Sequence, residues 1–179
     1  RWLAGALDYT ALNSVATCQA WGAAATSTFR QADPYVDNTY GCNCGFWTSM
    51  WQELGGFDPT LSGIGGDENE FFMRAYGAAF RVKSVPSAVV AYRLRPGLRA
   101  VCRQRYRQGK TQVRLRSTAG GRLLPPAPSI AESARSLARL VLVSPRYLIR
   151  SSTRSHWMAT CALHLGRVRG QVVSRDHPS

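Results

Sequence analysis

Short apolar runs, separated by glycine, proline and polar clusters, set out a succession of strand-like and helix-like pieces along the chain. Arg1 to Leu12 reads as a short element that opens into an alternating stretch. Asn13 to Arg30 is rich in Ala and Thr, with Ala20, Trp21, Ala24 and Ala25 loosely at helical spacing, and Asp33-Pro34 breaks it. Tyr40 to Phe46 predicts a buried strand or loop. Thr48 to Leu54 predicts a short helix stopped by Gly55, with Trp47 and Trp51 spaced to line one face, as a core or as a sugar-stacking platform.

The next piece has the form of a capping box: Asp67 as N-cap, Glu70 reaching back, and the apolar run Phe71, Phe72, Met73 behind them. That helix is expected to run to about Tyr76, with Gly77 supplying the positive-φ stop. Phe80 to Lys83 alternates as a half-buried strand does, Val85-Pro86 ends it, and Ala88 to Tyr92 forms a second β-branched run. After the Pro96-Gly97 turn, Leu98, Val101, Cys102, Arg105 and Tyr106 fall on one stripe of an amphipathic helix, Leu98 to Gln108, capped by Gly109. Gly120 to Ser129 is a linker by composition. Ile130 to Leu148 reads as a helical pair broken at Ser144-Pro145, and Trp157 to Val168 as a further helix.

Charge changes this picture through its distribution. Arg1 to Val90 carries 5 Lys+Arg against 8 Asp+Glu, net −3, whereas Ala91 to Ser179 carries 18 against 2, net +16. The acids gather in the first half, and the second half is a basic tail suited to a polyanion, either an anionic lipid surface or nucleic acid. Basic amphipathic segments with Trp and Leu suit a membrane interface, and an ordinary solvated helix face has the same composition. No helix-turn-helix, zinc finger or aromatic-basic signature points to nucleic acid. No window approaches the roughly 18 to 20 apolar residues a membrane span needs. No signal-peptide pattern follows Arg1, so a soluble or membrane-peripheral chain, and a fragment of a longer protein, is expected.

Cysteine and histidine add little chemistry. Cys18, Cys42, Cys44, Cys102 and Cys161 are an odd set without framework spacing, and Cys42-x-Cys44 is tighter than the usual zinc pair, so reduced, buried thiols are expected. His156 and His164 could share a helix face but lack a third ligand. The chemical signal lies instead at Asp67, Glu68 and Glu70. Glu68 falls in the first helical turn beside Gly63, Gly65 and Gly66, where a ligand can approach the backbone, which makes it a general-base candidate. The competing structural reading is that all three acids cap the helix and favour its dipole.

The order of these pieces resembles a known family. Gly41 to Asn43, the Gly-Gly-Phe-Asp of Gly55 to Asp58, the acidic helix Asp67 to Arg74, Tyr-Arg-x-Arg at Tyr92 to Arg95, and Arg103 to Gly109 together resemble the later half of family 2 glycosyltransferases, over about residues 1 to 115. The resemblance implies an α/β fold of the GT-A type, of which this chain holds the acceptor-side part (1–116); by composition a linker (117–129) and a basic helical tail (130–179) follow it. The resemblance implies transfer of a sugar from a nucleotide-sugar donor to a hydroxyl of a glycan or lipid-linked acceptor, with inversion; the basic tail adds the expectation of a place at the cytoplasmic face of an anionic membrane, without nucleic acid. Glu68 takes the family's base position and Asp67 the first position of the acidic pair, with Glu and Asp swapped relative to the usual order.

The same resemblance puts Gly41, Asn43, Arg93, Arg95, Gln104 and Arg107 against substrate, and Gly66 of the glycine-lined opening and Trp47 as a stacking ring are expected there too. It also implies a divalent metal, Mg or Mn, held by an Asp-x-Asp motif in the earlier half of the enzyme; no Asp-x-Asp occurs here, so its ligands are expected outside this chain. Two departures stand out. Phe46-Trp47-Thr48 replaces an arginine pair, and Gln108 replaces the Trp of a Gln-x-x-Arg-Trp signature begun by Gln104 and Arg107, which favours single addition over polymerisation.

Overall fold

The computed structural model describes residues 1–23, 26–27, 40–61, 66–124, 128–144 and 151–176. Gly63, Gly65, Ala24, Ala25, the Asp33-Pro34 break and Pro145 lie outside the described residues. The fold is mixed α/β. Its centre is strand β1 (Trp2–Asp8), whose Trp2, Ala4, Ala6 and Leu7 are buried. Strand β4 (Val82–Ala91) pairs with it in parallel along its whole length. The opposite edge is shared by two antiparallel strands, β3 (Cys44–Phe46) on Trp2 to Ala4 and β2 (Thr26–Ser27) on Leu7 and Asp8.

Pro86 does not end a strand as its sequence suggests. The register jumps from Gly5 opposite Val85 to Ala6 opposite Val89, so Pro86 to Ala88 bulge out of one continuous β4. Asn43 holds that bulge: its side-chain amide donates to the carbonyls of Ala6 at 2.7 Å and Ala88 at 2.8 Å. The amide occupies the space above Gly5, where a Cβ would lie 2.3 Å from Asn43 Nδ2.

Local signals explain the first helices. In α1 (Val15–Trp21), Ser14 caps the start by accepting from the Thr17 amide, and Gly22 ends it at φ 63°. Helix α2 (Thr48–Leu54) has the expected bounds, with Gly55 at φ 73°. Helix α3 (Asp67–Gly77) starts differently from expectation. Gly66, at φ 91°, is its N-cap, so Asp67 is already helical and the Asp67–Glu70 capping box does not form. Glu70 turns inward instead and is 1% exposed. Nor is Gly77 the left-handed stop: the helix runs through it and Ala79 takes φ 62°, with the Phe80 amide returning to the Ala75 carbonyl.

The buried Glu70 carboxylate receives Arg74 Nε at 2.8 and 2.9 Å, Arg74 Nη2 at 2.8 Å and the Gly120 amide at 3.1 Å. Arg74 donates onward to the carbonyls of Leu54 and Gly56, tying the Gly-Gly-Phe-Asp turn to α3. Beside it lies an aromatic core of Trp2, Met50, Phe71, Phe72 and Ala75, joined by Phe46 and Trp51. Trp51 therefore serves packing. Trp47, at the α2 N-cap, is 70% exposed.

Helix α4 (Leu98–Arg114) continues through Gly109, which was expected to stop it, because that glycine faces another helix. A Cβ there would lie 2.1 Å from the Leu163 carbonyl, and one at Gly166 would lie 2.0 Å from the Tyr106 carbonyl. The missing side chains let α4 meet α6 (Ser151–Asp176) backbone to backbone. Helix α6 is longer than the expected Trp157 to Val168. Helix α5 (Ile130–Leu142) begins with the capping box Ser129–Glu132, and Trp157 Nε1 on α6 donates to its Leu140 carbonyl at 2.8 Å. A second core, Leu7, Tyr9, Trp21, Leu94, Val101 and Ala159, joins the sheet, α1, α4 and α6. The tail helix thus contributes to the interior of the unit that holds the acidic helix. Among the described residues no helix is long and apolar enough to cross a membrane. The five cysteines are unpaired; Cys42 is exposed and the others are half-buried, less enclosed than expected.

Candidate functional site

A cavity of about 810 Å³ opens where the C-terminal end of β1, the segment after β4, the end of α1, the Tyr40–Cys42 turn, the start of α3 and the middle of α4 converge. Asn13 sets one wall. Its Nδ2 donates to the carbonyls of Tyr9 at 2.8 Å and Tyr92 at 2.7 Å, and its Oδ1 accepts from the Leu94 amide at 2.7 Å. This fixes the Tyr9 and Tyr92 rings edge to face, 6.0 Å apart. Burial, then the neighbouring Tyr40 and Tyr92, push the Tyr9 phenol well above the ordinary tyrosine range. It stays neutral at working pH and serves as a hydrogen-bonding hydroxyl.

Glu68 faces this wall from the first turn of α3. Gly41 packs flush on its stem, since a Cβ there would sit 3.2 Å from Glu68 Cβ and 3.3 Å from Cγ. A larger residue at 41 would displace the carboxylate. Burial raises the Glu68 pKa first, and a hydrogen bond and the charge of Asp67 raise it further, against the lowering by the backbone N–H groups of Glu68 and Gly66. Asp67, freed from capping, is thus the partner of Glu68. Gly66 brings the helix start close to α4: a Cβ on it would be 2.7 Å from Thr111 Cγ2.

Of the residues expected at the site, Gly41, Glu68 and Gln104 line the cavity, and Asp67 and Gly66 stand directly beside Glu68. Asn43 sits at the bulge and supports the sheet. Trp47, Arg93, Arg95 and Arg107 are exposed and are not among the lining residues. The backbone of Arg95 contributes, its carbonyl accepting from Trp21 Nε1 at 3.0 Å.

The structure adds Tyr9, Tyr40, Trp21, Arg105 and Gln108 to the lining. Arg105 left a trace in the sequence: it is the charged residue on the otherwise apolar stripe of α4, where a surface arginine does not belong. The tyrosines left none, because β1, the Tyr40 turn and the end of β4 meet only through the sheet.

Among the described residues no group of three His, Cys, Asp or Glu side chains is placed to hold a metal ion. The described residues of the cavity offer one carboxylate, Glu68, and hydrogen-bonding walls. Comparison with protein-family models, characterised proteins and solved structures finds no match for this chain.

Proposed function

We propose that this chain is the acceptor-side part of a glycosyltransferase catalytic unit, of the GT-A type and resembling family 2, in which Glu68 is the general base. The observation that carries the reading is a glutamate with a raised pKa, set in the first turn of α3 and open to a cavity walled by Tyr9, Tyr40, Trp21 and Gln104. Phenols, amides and an indole face suit a polyhydroxylated ring, and a carboxylate moved toward neutral pH is a better proton acceptor than an ordinary one. An acceptor hydroxyl in the cavity attacks the anomeric carbon of a nucleotide sugar. The new glycosidic bond forms as the bond to the diphosphate breaks, and the hydroxyl proton passes to Glu68. Displacement from the opposite face inverts the anomeric centre. The donor contacts, and any Mg or Mn with them, belong to residues outside this chain.

The acceptor class is a glycan or lipid-linked glycan at the cytoplasmic face of a membrane. Exposed Arg135 and Arg139 on α5, followed by Val141 at 58% and Leu142 at 79% exposure, support peripheral contact with anionic lipid. The test is transfer of labelled sugar from a panel of nucleotide sugars by the enzyme carrying both halves. Glu68→Gln is expected to lower kcat by roughly 10² or more. Retained activity in a folded Glu68→Gln protein, with activity abolished in Asp67→Asn, would move the base to Asp67. Activity retained in both would end the proposal.

A further inference from the structure

Arg105 is a partly buried cation with no counter-charge among the described residues. Its Nη2 donates to the Trp21 carbonyl at 2.9 Å and its Nη1 to Gln108 Oε1 at 3.2 Å, with Cζ 5.5 Å from the Trp21 ring centroid. These partners are neutral and use two of the five guanidinium N–H groups. Among the described residues the one ion pair is Glu70–Arg74, so none of their carboxylates reaches Arg105. Burial lowers its pKa. Removing a guanidinium from water is unfavourable unless an anion answers it, and its planar fork matches phosphate or carboxylate oxygens in pairs.

The cavity places this cation together with Glu68 and is also lined by the side chains of Tyr9, Tyr40 and Gln104. We propose that Arg105 forms an oxyanion subsite and that the cavity takes an acidic sugar, with a phosphate or carboxylate at Arg105 and a hydroxyl directed to Glu68. The orientation toward Glu68 rests on the glycosyltransferase reading; the oxyanion subsite does not. Arg107, which carries the sequence resemblance on this helix, is exposed and cannot supply this contact. The tie from Arg105 to the Trp21 carbonyl also orients the fork, because it fixes α4 against the end of α1.

The test is calorimetric titration of the 179-residue chain with glucose 6-phosphate, glucuronate, the neutral methyl glucoside and UDP. The two acidic sugars are expected to bind about tenfold or more tightly than methyl glucoside, the scale of one charge-assisted hydrogen bond. Arg105→Gln is expected to bring that ratio close to one, and Arg105→Lys to keep part of it. Equal binding of charged and neutral sugars by the unmodified chain, or binding of none of them, overturns the proposal without any variant. So does a ratio that survives in Arg105→Gln while only the melting temperature falls, which makes Arg105 a structural tie. A loss in Arg105→Gln confined to UDP also overturns it, by assigning the oxyanion to a donor diphosphate. Transfer activity is not read in this experiment, so failure of the Glu68 mechanism and failure of the subsite are separable.

Discussion

Replacing Arg74 by Met should show what holds the acidic helix in place. The substitution keeps the aliphatic length of the side chain and removes the guanidinium N–H groups directed at Glu70, whose side chain is 1% exposed and keeps only the Gly120 amide. Stranding a buried carboxylate costs about 3 to 5 kcal/mol. The Leu54 and Gly56 carbonyls also lose their donor, at about 1 kcal/mol each. Arg74 itself is 18% exposed, so water partly replaces it, and the expected total is about 3 to 5 kcal/mol. For a chain of this size that corresponds to a fall in Tm of roughly 6 to 20 °C, measurable by thermal and urea melts followed by circular dichroism. The double variant Glu70→Leu with Arg74→Met should recover a large part of the loss, because no charge is left stranded. A loss below about 1 kcal/mol in Arg74→Met, or a double variant no more stable than the single one, would refute the buried-pair account.

Three further outcomes follow from the same geometry. Because burial and Asp67 raise the Glu68 pKa, the protonated form is favoured in the fold. Stability should therefore fall as pH rises from the ordinary glutamate value to the raised one, and the acid limb of the kcat profile should lie above that of a free glutamate. Glu68→Gln should remove the stability loss, and pH-dependent melts that match the unmodified protein would contradict it. Gly109→Ala should destabilise by about 1 to 3 kcal/mol through the clash with the Leu163 carbonyl, where a free helix face would gain up to ~1 kcal/mol from Ala; a raised Tm in thermal melts would refute the close α4–α6 crossing. Changing Arg135 and Arg139 to Glu should abolish salt-sensitive binding to anionic vesicles in a flotation assay with Tm nearly unchanged, and equal binding to neutral vesicles would argue against an electrostatic face.

Truncation of the basic tail would not isolate the membrane contact. Ala159 is buried with Leu7, Tyr9 and Trp21, so removing α6 would expose the core beside the cavity instead of detaching a tail.

Local signals alone determined the elements whose ends are made by neighbouring residues. The Gly55 stop of α2 needs only the positive φ that glycine adopts freely. The amphipathic stripe that begins α4 was also legible, as was Glu68 in a first turn beside glycine. Tertiary contacts decided where sequence signals had two uses. Glu70 has the spacing of a capping box, and the half-buried Arg74 outbids the helix start for its carboxylate. Pro86 has the look of a strand end, and Asn43, distant in sequence, bridges the bulge that keeps β4 whole. Gly109 has the look of a helix stop, and α6 needs its missing Cβ. The cavity belongs to the second class throughout, since Tyr9, Tyr40, Glu68, Tyr92 and Arg105 are far apart in the chain. Backbone propensity acts over a few residues and can be read locally; the partner of a buried charge, amide or glycine is chosen by the fold, and no short stretch of sequence contains it.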